Sequence, residues 1–129
     1  MSELGMELDE RLVYISEARF AQAGADGFSA LFSRDEKPDA IVCGYDYIAF
    51  GLLNSADAAG ISVPNQLSVI GFDDSIASGV YRLGLSTIGI DHRKRCNALV
   101  EMLIHRICKP DEPKKIMVIQ SEFISRGTS

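Results

Sequence analysis

The sequence predicts an α/β fold, a parallel sheet with helices on both faces and Rossmann-like winding. Three observations predict it. Two short, nearly all-apolar runs, Ala40–Cys43 and Ser68–Phe72, are bounded by turn residues, the pattern of strands covered on both faces. Between them lies a single amphipathic stretch of about four helical turns. Both runs also end alike, in Gly44-Tyr45-Asp46 and Gly71-Phe72-Asp73. Strand, helix and strand in that order make a βαβ unit. Open α/β sheets bind ligands outside the carboxyl ends of their strands, so the two aspartates stand at the expected ligand rim.

With 129 residues, the chain is long enough for one real core and too short for two. Its 47% hydrophobic content is ordinary for a globular protein, and no apolar run approaches the ~20 residues that span a bilayer. The first ten residues carry Glu3, Glu7, Asp9 and Glu10 and no basic cluster, which argues against a secretory signal. Three cysteines, Cys43, Cys96 and Cys108, without CxxC spacing, point to a reduced, cytoplasmic setting. The net charge of −5 hides an asymmetry. Residues 1–91 hold 5 Lys/Arg and 14 Asp/Glu, whereas residues 92–129 hold 8 and 4. The basic residues are scattered and lack interleaved aromatics, so they read as a solvated face rather than a nucleic-acid surface.

In chain order, Met1–Met6 reads as the last turn of a helix stopped by Gly5. Leu12–Ser16 is rich in β-formers and is the first predicted strand. Ala18–Ser33 is a helix with an inner face of Phe20, Gly24, Gly27, Phe28 and Leu31, its glycines permitting close packing on the sheet. After a charged loop and the Ala40–Cys43 strand, Asp46 is the expected N-cap of the second helix. That helix turns Ile48, Leu52, Leu53, Ala56 and Ala59 inward and closes at Gly60. The loop around Val63-Pro64 leads into Ser68–Phe72, and Asp74–Gly84 is irregular with room for a short helix. Leu85–Ile90 is a strand. Asp91 caps a third helix with Cys96, Leu99, Val100, Leu103 and Ile107 on one face, ended by Lys109-Pro110. Ile116–Ile124 is the last predicted strand.

Enzyme chemistry finds little support. Asp73 and Asp74 are adjacent, but successive side chains at a strand end diverge and no third metal ligand has suitable spacing. His92 and His105 are too far apart for a helical metal pair. No phosphate loop or G-x-S-x-G elbow is present, and Cys43 on its apolar strand reads as an inert core thiol. Neither a metal nor a cofactor is expected.

The succession Pro38-Asp39-Ala40-Ile41, Asp46, Ala49-Phe50-Gly51, Gly60-Ile61-Ser62-Val63-Pro64, Leu67 through Asp74 and Leu85-Ser86-Thr87-Ile88 resembles the effector-binding domain of LacI/GalR-family transcriptional regulators. The ending Phe123 to Ser129 is similar to that family's last strand and tail. The resemblance implies a periplasmic-binding-protein-like fold of two subdomains, of which residues 1–84 form the second, truncated at its N-terminus. Residues 85–129 supply a crossover strand, a helix that packs on the absent first subdomain, and the returning strand. It implies a small-molecule effector such as a sugar, a homodimer, and operator DNA bound only through a helix-turn-helix region not found in this chain. The opening strand of the second subdomain, central in the family's sheet and followed by an effector-contacting Arg, is also missing. Its loss leaves Leu12–Ser16 without a neighbour and predicts a weakly stable monomer that re-pairs strands, swaps or oligomerises.

Asp73 holds the place of the family's effector-binding Asp, and an ionised carboxylate suits vicinal hydroxyls. Tyr45 replaces the usual Asn and offers a ring for stacking. Asp46 matches the family, although an N-cap role explains it without a ligand. Phe72 and Tyr47 line a cleft or belong to the core, and Tyr81 falls in the loop near the family's effector cleft. Two other readings stay open: a periplasmic sugar-binding protein of a transporter, and an interaction module or non-functional remnant.

Overall fold

The computed structural model describes residues 9–129; the helix end expected at Met1–Met6 lies outside the described residues. A 3-10 turn, Glu10–Leu12, is the first described element, with the Asp9 carboxylate accepting the Arg11 N–H. Then come α1 (Phe20–Phe32), β1 (Ala40–Val42), α2 (Asp46–Ala58), β2 (Ser68–Phe72), α3 (Ile76–Val80), β3 (Ser86–Gly89), α4 (His92–Cys108) and β4 (Glu122–Ile124). The four strands form one sheet in the order β1-β2-β3-β4. β1, β2 and β3 run parallel, and β4 returns antiparallel with Thr87 opposite Ile124. A mostly parallel sheet flanked by helices is the architecture the two apolar runs foretold.

The core lies where α2 crosses the sheet. Ala49, Leu52, Leu53 and Ala56 of α2 pack with Leu67, Val69 and Leu85, and Phe28 of α1 closes the cluster. Burial of each large aliphatic side chain here contributes roughly 1.5–3 kcal/mol. The tail is stitched to the sheet. Thr128 Oγ1 donates to the Val69 carbonyl at 2.7 Å and accepts from Ser86 N–H at 2.9 Å, so this buried hydroxyl is fully used.

Several expectations need correction. Leu12–Ser16 is not a strand: residues beyond Leu12 are irregular. Strand propensity cannot hold a segment that has no ladder to join, because its amide groups do better in water. Phe20 is not on the inner face; it begins α1 at φ 55° and is 55% exposed. Gly24 packs not on the sheet but on α2, where a Cβ would meet the Ile48 carbonyl. Ala59 is exposed, beyond the last helical residue of α2. The final strand covers only Glu122–Ile124, leaving Ile116–Ser121 outside the sheet. Asp91 does cap α4, accepting from Arg93 and Lys94 N–H. None of α4 is buried, however, and Leu99, Val100, Leu103 and Ile107 face outward.

Candidate functional site

β1 and β2 are neighbours and parallel, so Gly44-Tyr45-Asp46 and Gly71-Phe72-Asp73 leave the sheet at one rim. Tyr45 and Asp73 therefore share the rim, the relationship on which the sequence reading depended. Their roles there differ in kind from those of Asp46 and Tyr81.

Asp73 is exposed and sits at φ 111°. Such a backbone is costly for an L residue and persists only where neighbours enforce it. Here the neighbours are clear. The Asp73 N–H donates to the Ile88 carbonyl at 2.8 Å, Asp74 N–H approaches Thr87 Oγ1 at 3.4 Å, and Ser75 N–H donates to Asp46 Oδ2 at 2.7 Å. The next residue, Asp74, is also left-handed, at φ 50°, and its side chain turns the other way. It meets Arg126 at 2.7 Å in a pair about one-quarter exposed on each side. Arg126 also donates to the Leu85 carbonyl at 2.8 Å. Asp74 is thus structural, and its partner went unseen in the sequence. Among the described residues, the Asp73 carboxylate accepts no hydrogen bond from the protein. Its backbone is held in place, and its carboxylate is an unspent acceptor at the strand ends.

Asp46 is the main correction. It is not the N-cap of α2; Tyr45 holds that position, its carbonyl receiving Ile48 N–H at 3.1 Å. Asp46 is the first helical residue and is 1% exposed. Its Oδ2 accepts from Ser75 N–H at 2.7 Å and from the Ser78 hydroxyl at 2.5 Å. Its Oδ1 accepts from the Thr87 hydroxyl at 2.6 Å. Three donors, with the amide ends of the first turn of α2, compensate a buried carboxylate. Gly71 makes room for it, since a Cβ there would overlap Oδ1. Both oxygens are engaged inside the protein, and through the Ser75 N–H Asp46 holds the loop that carries Asp73. One signal pointed to this: Ser86-Thr87 places hydroxyls in an otherwise buried strand, where they need an acceptor.

The aromatic residues form a connected row. Tyr45 and Phe20 meet edge to face with centroids 6.1 Å apart, Phe20 and Tyr47 at 6.0 Å, and Tyr47 and Phe50 at 5.6 Å. Tyr81 stacks on Phe50 at 5.2 Å and its hydroxyl donates to Asn54. Tyr81 therefore stands at the far end of the row from Tyr45, against the middle of α2. Burial pushes its phenol up from the ordinary value. Tyr45 is half-buried, and its hydroxyl accepts the Phe20 N–H at 2.9 Å, which holds the start of α1 to the rim. Phe72 keeps 42% of its surface exposed. The rim thus offers one free carboxylate and partly exposed aromatic faces, suited to a small molecule with hydroxyl or amide donors and a flat apolar side. Among the described residues no group of three acidic, His or Cys side chains could hold a metal ion, and no helix is long and apolar enough to cross a membrane.

Comparison with known proteins agrees with this geometry. The family described as periplasmic binding protein-like domain matches residues 1–129. The HTH-type transcriptional repressor PurR of Glaesserella parasuis is 27% identical over 134 residues, with 99% of this chain and 39% of that protein covered. A LacI-type transcription regulator from Bifidobacterium animalis subsp. lactis superposes with a TM-score of 0.90 at 26% identity, covering 98% of this chain and 45% of that one. A sugar-binding LacI-family regulator from Escherichia coli, solved with phosphate, gives 0.79 at 25% identity, covering 99% and 45%. The chain spans about 39% of the length of the curated relatives it matches. It belongs to the periplasmic binding protein-like domain family and matches the effector-binding domain of LacI-type transcriptional regulators.

Proposed function

We propose that this chain is the effector-sensing part of a LacI-type regulator, and that Asp73 receives a small polyhydroxylated molecule at the strand ends. The single observation that carries the reading is the unspent Asp73 carboxylate, held at φ 111° between β2 and β3. A backbone already held in place leaves only side-chain freedom to lose on binding, and the carboxylate gains charge-assisted hydrogen bonds. Tyr45 and Phe72 supply the apolar face. The sugar-binding regulator from Escherichia coli supports this ligand class. The role is binding rather than turnover. A guest that favours one arrangement of the sensing domain changes the affinity of a second site, which is all that effector control requires. The protein works in the cytoplasm, as a homodimer, with operator contact through a helix-turn-helix such as the PurR relative's name records.

The test is a thermal-shift screen of monosaccharides, disaccharides and nucleobases on the longest protein that carries this chain, repeated with Asp73→Ala. One chemical class should raise the melting temperature, and the substitution should abolish the rise. Stabilisation that survives Asp73→Ala unchanged removes Asp73 from the site.

A further inference from the structure

Two residues in succession, neither of them glycine, stand in the left-handed region: Asp73 at φ 111° and Asp74 at φ 50°. Such a pair relaxes unless its surroundings hold both residues. Asp73 is anchored by its N–H on the Ile88 carbonyl at 2.8 Å. The Asp74 N–H reaches Thr87 Oγ1 only at 3.4 Å, and the Asp74 carbonyl meets the exposed His92 ring at 3.0 Å. The firmer hold on Asp74 is therefore on its side chain. One planar peptide joins the two aspartates, so whatever fixes Asp74 also fixes the far side of Asp73.

Two elements grip that side chain. Gly89, the last residue of β3, lies directly against it, and a Cβ there would overlap the Asp74 Cβ. Arg126 donates to Asp74 Oδ1 at 2.7 Å, each partner about one-quarter exposed. The guanidinium is itself anchored. Its other arm donates to the Leu85 carbonyl at 2.8 Å, and the Arg126 N–H donates to Ser86 Oγ at 2.9 Å. The next residue continues the grip, since the Gly127 N–H donates to the Gly84 carbonyl at 3.0 Å. Gly127 also packs so close to the Leu83 carbonyl that a Cβ would overlap it. A fork held at Leu85 and Ser86 gives Asp74 a fixed direction as well as a charge.

We propose that Arg126 is a positioning residue for the Asp73 site, setting the backbone of the ligand group through Asp74. The proposal rests on the effector reading for the guest, and on these contacts alone for the backbone. Its consequence is a link between Asp73 and the segment after β4, 52 residues beyond Asp74. Coupling of this kind runs both ways, so a guest that fixes Asp73 also steadies that segment. Lysine in place of Arg126 carries the charge but forms a single bond where the fork forms two.

Nuclear magnetic resonance on the full 129-residue chain tests it. The three-bond coupling between amide and α protons reports φ, and at Asp73 it is smaller for the left-handed backbone than for an extended one. Arg126→Met keeps the stem and removes the fork. It should raise the Asp73 coupling and speed exchange of the Asp73 N–H roughly tenfold or more. Arg126→Lys should retain most of the parent coupling. Gly89→Ala displaces Asp74 without altering Arg126, and should reproduce the change seen in Arg126→Met. Gly24→Ala, which loosens the contact between α1 and α2, should leave Asp73 as it is, separating positioning from mere loss of stability. Glucose, sucrose and cellobiose are then titrated in turn. A sugar that shifts the Asp73 amide should slow exchange at Gly127 and bind Arg126→Met roughly tenfold more weakly. Unchanged coupling and exchange at Asp73 in folded Arg126→Met overturn the proposal, as they do in Gly89→Ala should Arg126→Met not fold. So does an equal change in Gly24→Ala, or an equal sugar affinity in Arg126→Met. Silence toward all three sugars strikes the effector reading alone, because coupling and exchange decide the role of Arg126 without a guest.

Discussion

Asp46 and Thr87, 41 residues apart in sequence, are joined inside the protein by a 2.6 Å hydrogen bond. The contact ties the first turn of α2 to β3, and through Ser75 and Ser78 the same carboxylate holds the loop that follows β2. Asp73 lies in that loop, so the position of the candidate ligand group depends on a carboxylate whose two oxygens are both engaged inside the protein.

Asp46→Ala leaves the fully buried hydroxyls of Ser78 and Thr87 without their acceptor and opens a gap under Gly71. Each unsatisfied buried group costs about 1–3 kcal/mol, so the loss should be about 3 kcal/mol or more by urea unfolding. Asp46→Asn keeps the shape and one acceptor, and should cost about half as much. Amide exchange at Ser75 should accelerate in both variants. A loss below about 1 kcal/mol for Asp46→Ala would show that the three contacts contribute no more than ordinary surface bonds.

Helices α1 and α2 meet through two glycines facing opposite ways. A Cβ on Gly24 of α1 would strike the Ile48 carbonyl, and a Cβ on Gly51 of α2 would strike the Ala21 carbonyl. Backbone cannot move aside as a side-chain tip can. Gly24→Ala and Gly51→Ala should therefore each destabilise the protein by about 1–3 kcal/mol, despite Ala's better helix propensity. Gly44→Ala, where nothing lies within 4 Å, should stay within about 0.5 kcal/mol of the parent in the same unfolding series. Equal midpoints for all three variants would refute the close helix contact.

Periodicity and turn chemistry were enough to place α1, α2, α4 and the parallel pair β1–β2, because each carries its own pattern within a dozen residues. Asp73 at the rim was legible for the same reason: it follows an apolar run and a glycine. What the sequence concealed was partnership at a distance. Asp46 reads as a helix cap because an acidic residue at a helix start has that local explanation. Its true partners, Ser75, Ser78 and Thr87, lie on other elements. Arg126 gave no hint of Asp74, 52 residues earlier. Leu12–Ser16 and Ile116–Ser121 show the opposite failure. Both carry strand composition, but a strand exists only by pairing, and composition does not reveal whether a neighbour is at hand.

Cys43 offers a sharper check on the core. It is 4% exposed beneath α2, and burial, aided by the charge of Asp46, pushes its thiol from 9.0 up to about 12. The thiolate is the reactive form, so a buried thiol held neutral does not react. Cys96 and Cys108 are free and exposed. An aromatic disulfide reagent near pH 8 should therefore modify those two at once and Cys43 only upon unfolding, as peptide mass mapping would show. The same shift gives a pH dependence. Above pH 9.0 the unfolded chain loses the Cys43 proton while the folded chain keeps it until about 12. The folded state then binds more protons, and stability falls as pH rises through that window. Cys43→Ala should remove this component of the alkaline decline, measured against the parent by unfolding at successive pH values. Rapid labelling of Cys43 in folded protein would mean that α2 does not cover β1 as described.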